Sequence, residues 1–264
     1  NVEFYNPNGS IPLIVTPGGM GAIEGFGAFA KNLAAASSDL KVIIMDRRNL
    51  GRSEVSFDNA EPLSAEEAED LHVLLQRLDI DSAIFYGMSS GSRSNMVLAE
   101  RYPEQVDALI IAPLTGGPIA AQRLSDEYFL SFLRDDSLTS MEAVAQTPLW
   151  KAYMERNSPE LQQIFLEQNI DDFLGTMKMT GEYLASFHAK TTLGMTDEQL
   201  MALEVPATLI LHHGQEIDFL HPKVNSRAAT TLIQNSTFRI APRLQSIVDE
   251  VLPFVKKYAQ PDKK

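Results

Sequence analysis

Short apolar runs recur along the chain, each closed by a polar or glycine-rich turn and followed by a segment whose apolar positions repeat at helical spacing. Ile11-Pro-Leu-Ile-Val15 ends at Thr16-Pro-Gly-Gly-Met-Gly21, and an amphipathic segment near 25–36 comes next. Lys41-Val-Ile-Ile-Met-Asp46 empties into the polar stretch 47–53. Ser64 and Glu67 then have the spacing of a capping box, ahead of a helix with Leu71, Leu74, Leu75 and Leu78 on one face. A third run, 82–86, leads through Gly87-Met-Ser-Ser-Gly91 into a helix of about 91–101, and 106–113 is a fourth. Toward the end, strands at 207–211 and 237–241 alternate with helices near 222–233 and 245–258; Pro253 inside the last is expected to kink it or delay its start. Near-continuous apolar strands separated by helices predict an α/β fold, with a mostly parallel, doubly covered sheet whose active site lies at the carboxyl ends of the strands.

Residues 117–204 break this rhythm. They are helical in pattern, rich in Met and Leu, and contain the sole tryptophan, Trp150. The pattern predicts a helical cap inserted into a core formed by 1–116 and 205–264. Met141, Met154, Met177, Met179, Met195 and Met201 are expected mainly as core packing, with an adaptable pocket lining as the alternative.

Length and composition narrow the options. With 264 residues, 44% of them apolar, and no repeat, the chain suits one large domain with an insertion. It has no cysteine, which excludes disulfides, thiolate catalysis and Cys-based metal centres. A formal charge of -13 without a basic cluster disfavours nucleic acid and anionic membranes, and no apolar run is long enough to span a bilayer. No cofactor or metal is expected; the expected partner is a small-molecule substrate. An exposed Met/Leu surface on the cap would permit a homodimer. The chain opens at Asn1 without a basic-then-apolar leader, so its start reads as trimmed. The cytoplasm is the default compartment, with secretion left open.

The segment 82–92 carries the sharpest chemical signal. A strand-to-helix turn this tight leaves no room for flanking side chains, and Gly87 and Gly91 remove them, so that Ser89 projects as a nucleophile elbow.

The order of these features resembles the α/β-hydrolase superfamily over almost the whole chain. Pro17-Gly-Gly-Met-Gly21 is similar to the family's His-Gly-Gly-Pro-Gly oxyanion loop, with Pro17 in place of His. Asp46-Arg-Arg-Asn-Leu-Gly-Arg-Ser53 is similar to its Asp-x-Arg-Gly-x-Gly-x-Ser segment, and Gly87-Met-Ser-Ser-Gly91 to its elbow. The strand 205–214, followed by Asp218 and Pro222, resembles the strand and loop that carry the family's acid. Asp218 stands one residue later than usual, and Glu216 is its rival. The resemblance implies oxyanion donors at the N–H groups of Gly19 and Ser90. Met20, Met88, Arg93 and Trp150 are expected at the substrate. Arg93 has two readings, a receptor for a substrate carboxylate or a partner of Asp46, the second being favoured.

Histidine is where the chain departs from the family. The family's base follows the last strand, yet here Ile240-Ala-Pro-Arg-Leu244 passes almost directly into the final helix, and no histidine follows residue 221. His72 is expected to be solvated and His188 structural within the cap. His212 and His213 end a strand, where alternation points one inward and one outward, and a supporting role with its hydrogen bonds satisfied is expected for either. His221, three residues past Asp218, has two readings: the displaced base for Ser89, or a substrate-contacting or structural residue. The leading expectation is a serine hydrolase of a small, largely apolar ester, lactone or C–C ketone, using Ser89, Asp218 and His221. The alternatives are a non-hydrolytic enzyme on the same fold (lyase, cyclase or cofactor-free oxygenase) and a ligand-binding relative that has lost its base.

Overall fold

The structure, a computed structural model, describes residues 1–259; residues 260–264 of the predicted core segment lie outside the described residues. Seven strands form one sheet: β1 (Val2–Tyr5), β2 (Ile11–Thr16), β3 (Leu40–Met45), β4 (Ala83–Gly87), β5 (Val106–Ile111), β6 (Thr208–His212) and β7 (Ser236–Ile240). Their order is β1-β3-β2-β4-β5-β6-β7, with β1 antiparallel to β3 and every other pairing parallel. Each predicted strand appears within about two residues of its expected bounds. β1 is additional. It has four residues, none of them fully buried, and so offers no apolar run to read in the sequence.

Strand alternation divides the core into two layers. Ile14, Ile43, Phe85, Leu109 and Ile210 face α2 (Leu63–Arg77), α3 (Ser90–Arg101) and α10 (Lys223–Leu232). The intervening residues Leu13, Val42, Ile84, Ile110 and Leu209 face α1 (Ile23–Ala35) and α11 (Leu244–Tyr258). α11 continues through Pro253 from Leu244, so the proline does not delay its start.

The expected capping box at Ser64 and Glu67 does not form. α2 starts at Leu63 behind Pro62, and Ser64 lies inside its first turn. The helix has no side-chain cap; Glu66 instead folds back on the segment before it, its Oε1 accepting the Ala60 and Glu61 N–H groups at 3.0 and 3.2 Å. Glu67 turns inward to a buried ion pair with Arg47 at 2.8 Å and to the hydroxyl of Ser94. A buried arginine without a counter-charge is costly, and this outweighs the modest gain from a surface cap.

Between β5 and β6 lie α4 (Pro118–Tyr128), a 3-10 turn (Leu130–Arg134), α5 (Met141–Ala145), α6 (Pro148–Arg156), α7 (Pro159–Leu166), α8 (Ile170–Ala185) and α9 (Asp197–Ala202). Their aromatic core closes around Phe57 from the loop after β3, whose ring meets Trp150 and Phe173 edge-on at centroid distances of 5.6 and 4.9 Å. Of the six methionines named above, Met177 alone lines the cavity beside Ser89. Met141 and Met195 are buried core, and Met201 is exposed.

Glycine is required where α3 passes the end of β2, because a side chain at Gly91 would overlap the carbonyl groups of Thr16 and Pro17. Gly91→Ala is expected to destabilise the fold by about 1–3 kcal/mol. Gly175→Ala, on α8 with open space around it, is expected to stabilise by about 0.4–1 kcal/mol. Denaturant midpoints at constant m-value test the pair.

Candidate active site

β4 ends at Gly87 and α3 begins at Ser90, leaving Ser89 to make the turn at φ 50° and ψ -111°. Few non-glycine residues adopt such a backbone, and it persists only where the surroundings over-determine it. Those surroundings are the turn after β2. The Met88 N–H donates to the Thr16 carbonyl at 3.0 Å, and a side chain on Gly18 would strike the Met88 carbonyl and the Ser89 Cβ. Asn95, buried on α3, closes the arrangement. In the amide orientation that satisfies both ends, its Nδ2 donates to Thr16 Oγ1 (2.8 Å) and the Gly91 carbonyl (3.2 Å), and its Oδ1 accepts the Gly87 N–H (3.1 Å).

The two expected oxyanion donors are unspent: neither the Gly19 nor the Ser90 N–H donates within the described residues. Arg47 Nη2 donates to the Gly19 carbonyl, and this bond sets the plane of the Gly19–Met20 peptide. The Arg47–Glu67–Ser94 network therefore bears on the turn as well as on the core.

Ser89 Oγ lies 2.9 Å from His221 Nε2, and His221 Nδ1 lies 2.9 Å from Asp218 Oδ2. Asp218 Oδ1 accepts the N–H groups of Leu220 (2.9 Å) and His221 (3.0 Å). A turn folded on its own carboxylate thus lets an acid and a histidine three residues apart face one another. The carboxylate is shared with a second ring, since His213 Nε2 lies 2.8 Å from Asp218 Oδ2. The Gln215 N–H donates to His213 Nδ1 at 3.1 Å, so that nitrogen is the acceptor and Nε2 carries the proton. The same logic applies to His212, which accepts the Gly214 N–H on Nδ1 (2.9 Å) and donates from Nε2 to the His221 carbonyl (3.0 Å). Both strand-end histidines hold the loop that carries His221.

Burial pushes the His221 imidazole below its ordinary value, and the hydrogen bond and charge of Asp218 pull the other way without cancelling the effect. Burial alone would raise Asp218. The hydrogen bonds from the His221 ring and backbone, together with that ring's charge, outweigh burial and hold the acid well below the carboxylate range. His213, Asp218 and His221 present ligand atoms within 4.8 Å of one another, so a divalent cation would compete with the relay here.

The other expected residues fall in several places. Glu216 is exposed and paired with Lys223 at 2.8 Å, away from the relay. Met20, Trp150 and Arg93 line a mostly apolar cavity of about 190 Å³ with Ser89 and Ser90. A larger space of about 700 Å³ adjoins it along Met20, Asn49, Leu149 and Trp150. Met88 does not line the cavity; it packs against the layer under α1 and α11. Arg93 does not pair with Asp46. Asp46 instead accepts the Ile23 N–H at the start of α1 (2.6 Å) and the Arg52 N–H (2.9 Å). His72 is not simply solvated, because its ring stacks on Tyr102 at 3.9 Å. His188 is exposed, bonded to the Ala185 carbonyl. Sequence reasoning missed Asn95, and it expected a supporting role for His213 without identifying Asp218 as its partner. Asn95 gives no sequence signal, whereas the doubled histidine before Gly214 is a weak one.

The profile of a family described as "alpha/beta hydrolase fold" matches residues 11–114. A protein of Caulobacter sp. (strain K31) named "Putative carbamate hydrolase RutD" is 23% identical over 233 residues, covering 87% of this chain and 81% of that protein. Among solved structures, a thermophilic esterase from Thermogutta terrifontis superimposes with a TM-score of 0.63 at 19% identity, over 98% of this chain and 94% of the other. A meta-cleavage product hydrolase from Pseudomonas fluorescens IP01 gives 0.65 at 17% identity, over 97% and 94%. At such identities the likeness is one of fold.

A histidine that is to take a proton from Ser89 must be neutral imidazole, so any activity through this pair is present above the folded pKa of His221 and lost as pH falls through it. With His221 lowered from 6.5, the acidic limb of kcat/KM is expected to have its midpoint below pH 6.5. His213→Phe removes one donor from Asp218 and leaves three. We expect kcat/KM to fall by about 3–30-fold and the limb to move to higher pH, with His213→Gln restoring the donor and most of the rate. An unmoved limb would leave His213 with a merely structural role.

Proposed function

Because the chain belongs to the α/β-hydrolase superfamily, we propose that it is a serine hydrolase of a small acyl compound, an ester, lactone or C–C ketone, acting through Ser89, His221 and Asp218. The observation that carries this reading is the continuous line of hydrogen bonds from Ser89 Oγ through both nitrogens of His221 to Asp218. His221 Nε2 takes the serine proton as Oγ adds to the carbonyl carbon. The Gly19 and Ser90 N–H groups receive the oxyanion, each such donor contributing ~3–4 kcal/mol in the transition state. The protonated imidazole then passes its proton to the leaving group, and water repeats the sequence on the acyl-enzyme.

In this reading residues 117–204 form a cap over the core of 1–116 and 205–264, and Trp150, Met20 and Met177 shape the acyl pocket. The esterase and the meta-cleavage product hydrolase among its structural relatives support the substrate range. The binding-only alternative rested on a missing base. A histidine within hydrogen-bond reach of Ser89 argues against it.

A fluorophosphonate probe is expected to label Ser89 stoichiometrically, read by peptide mass, and Ser89→Ala protein is expected to remain unlabelled. His221→Ala should lower kcat on p-nitrophenyl acetate by about 10²–10⁴-fold. Unlabelled Ser89 in folded protein would sink the proposal.

A further inference from the structure

The charged groups lining the 190 Å³ cavity are Arg47, Arg48, Glu67 and Arg93. Arg47 and Glu67 neutralise one another, and Arg48 is paired with Asp70 at 2.7 Å and Glu66 at 3.1 Å. Arg93 has no acidic partner among the described residues. It is 8% exposed, and its guanidinium makes one hydrogen bond, from Nη1 to the neutral hydroxyl of Thr115 at 3.1 Å. Its Nε is buried with no hydrogen-bond partner among the described residues. Burial lowers its pKa to about 10, so the group still carries its charge at neutral pH.

The stem of this arginine is also held. Gly194, at φ +88°, lies against it so closely that an added Cβ would sit 3.1 Å from Arg93 Cδ. The Gly194 carbonyl accepts the Tyr183 hydroxyl at 2.8 Å. The charge of Glu67 favours the guanidinium through space and that of Arg47 opposes it, and an immobilised cation in a mostly apolar pocket without a direct ion pair costs free energy. An incoming anion removes that cost, and the planar fork of a guanidinium suits a carboxylate.

Resting on the serine-hydrolase reading, we propose that Arg93 receives a carboxylate borne by the substrate, so that the compound cleaved at Ser89 is a small monoanion rather than a neutral ester. Arg93 and Ser89 line the same cavity of about 190 Å³. A space of that size holds only a small compound, so the carboxylate stands a few bonds from the scissile carbonyl. One cation matches one negative charge, which favours a monoacid over a phosphate dianion.

The test compares monomethyl succinate with dimethyl succinate, two esters of one skeleton that differ in a carboxylate. Calorimetric titration of Ser89→Ala protein is expected to show the monoanion bound about tenfold or more tightly. That preference should disappear in Ser89→Ala/Arg93→Met and survive in part in Ser89→Ala/Arg93→Lys. Equal binding of the two esters to Ser89→Ala protein overturns the inference without any Arg93 variant having to fold. A preference that persists in the Arg93→Met protein also overturns it, because the carboxylate is then held elsewhere, for instance by the Gly19 and Ser90 amides. Binding to Ser89→Ala needs no chemistry, so turnover of p-nitrophenyl acetate by the wild-type protein reports separately on the hydrolase reading.

Discussion

The carboxylate of Asp218 accepts four hydrogen bonds, and the geometry around Ser89 follows from how they are shared. One oxygen is occupied by the backbone N–H groups of Leu220 and His221, which folds residues 218–221 into a turn. The other faces two imidazoles, His221 and His213. Because Asp218 and His221 occupy the same turn, their alignment is a local property of the loop after β6. No long excursion after β7 is needed to deliver a histidine, and the three residues 241–243 between β7 and α11 suffice.

The second constraint is steric and belongs to the backbone. The turn after β2 and the turn after β4 approach so closely that Gly18 and Gly91 each abut the other segment's main chain. This contact holds Ser89 in its strained conformation and brings Gly19 to the cavity that Ser89 and Ser90 line. Asn95 reinforces it from within α3, bonding to Thr16, Gly87 and Gly91 at once. A polar residue buried in a helix is stable only when its groups are satisfied, and here satisfying them ties together the two turns that meet at Ser89.

Charge around the cavity is distributed unevenly for the same reason. Arg47 and Glu67 are both needed in the core, where each offsets the other's burial, and Arg47 also reaches the Gly19 carbonyl. This pairing accounts for the loss of the expected surface cap at Ser64 and Glu67. Arg93 forms no ion pair of that kind; Thr115 is its sole hydrogen-bond partner among the described residues.

The strands, the elbow and the acid loop were legible in the sequence because each is a short-range pattern: five or six apolar residues, two glycines around a serine, an aspartate four residues before a proline. β1 was not, since four half-exposed residues at a sheet edge carry no hydrophobic signature. Spacing alone could put Asp218 and His221 on one turn. That the turn would lie against Ser89, 132 residues earlier in the chain, depends on β4, β5 and β6 stacking in parallel so that their carboxyl ends share one edge. The same applies to the choice between Asp218 and Glu216, to His213 joining the acid, and to Asp46 bonding the start of α1 while Arg93 turns to the cavity. Hydrogen-bond partners are selected by burial and distance across the fold, and neither is written in the order of residues along a single segment.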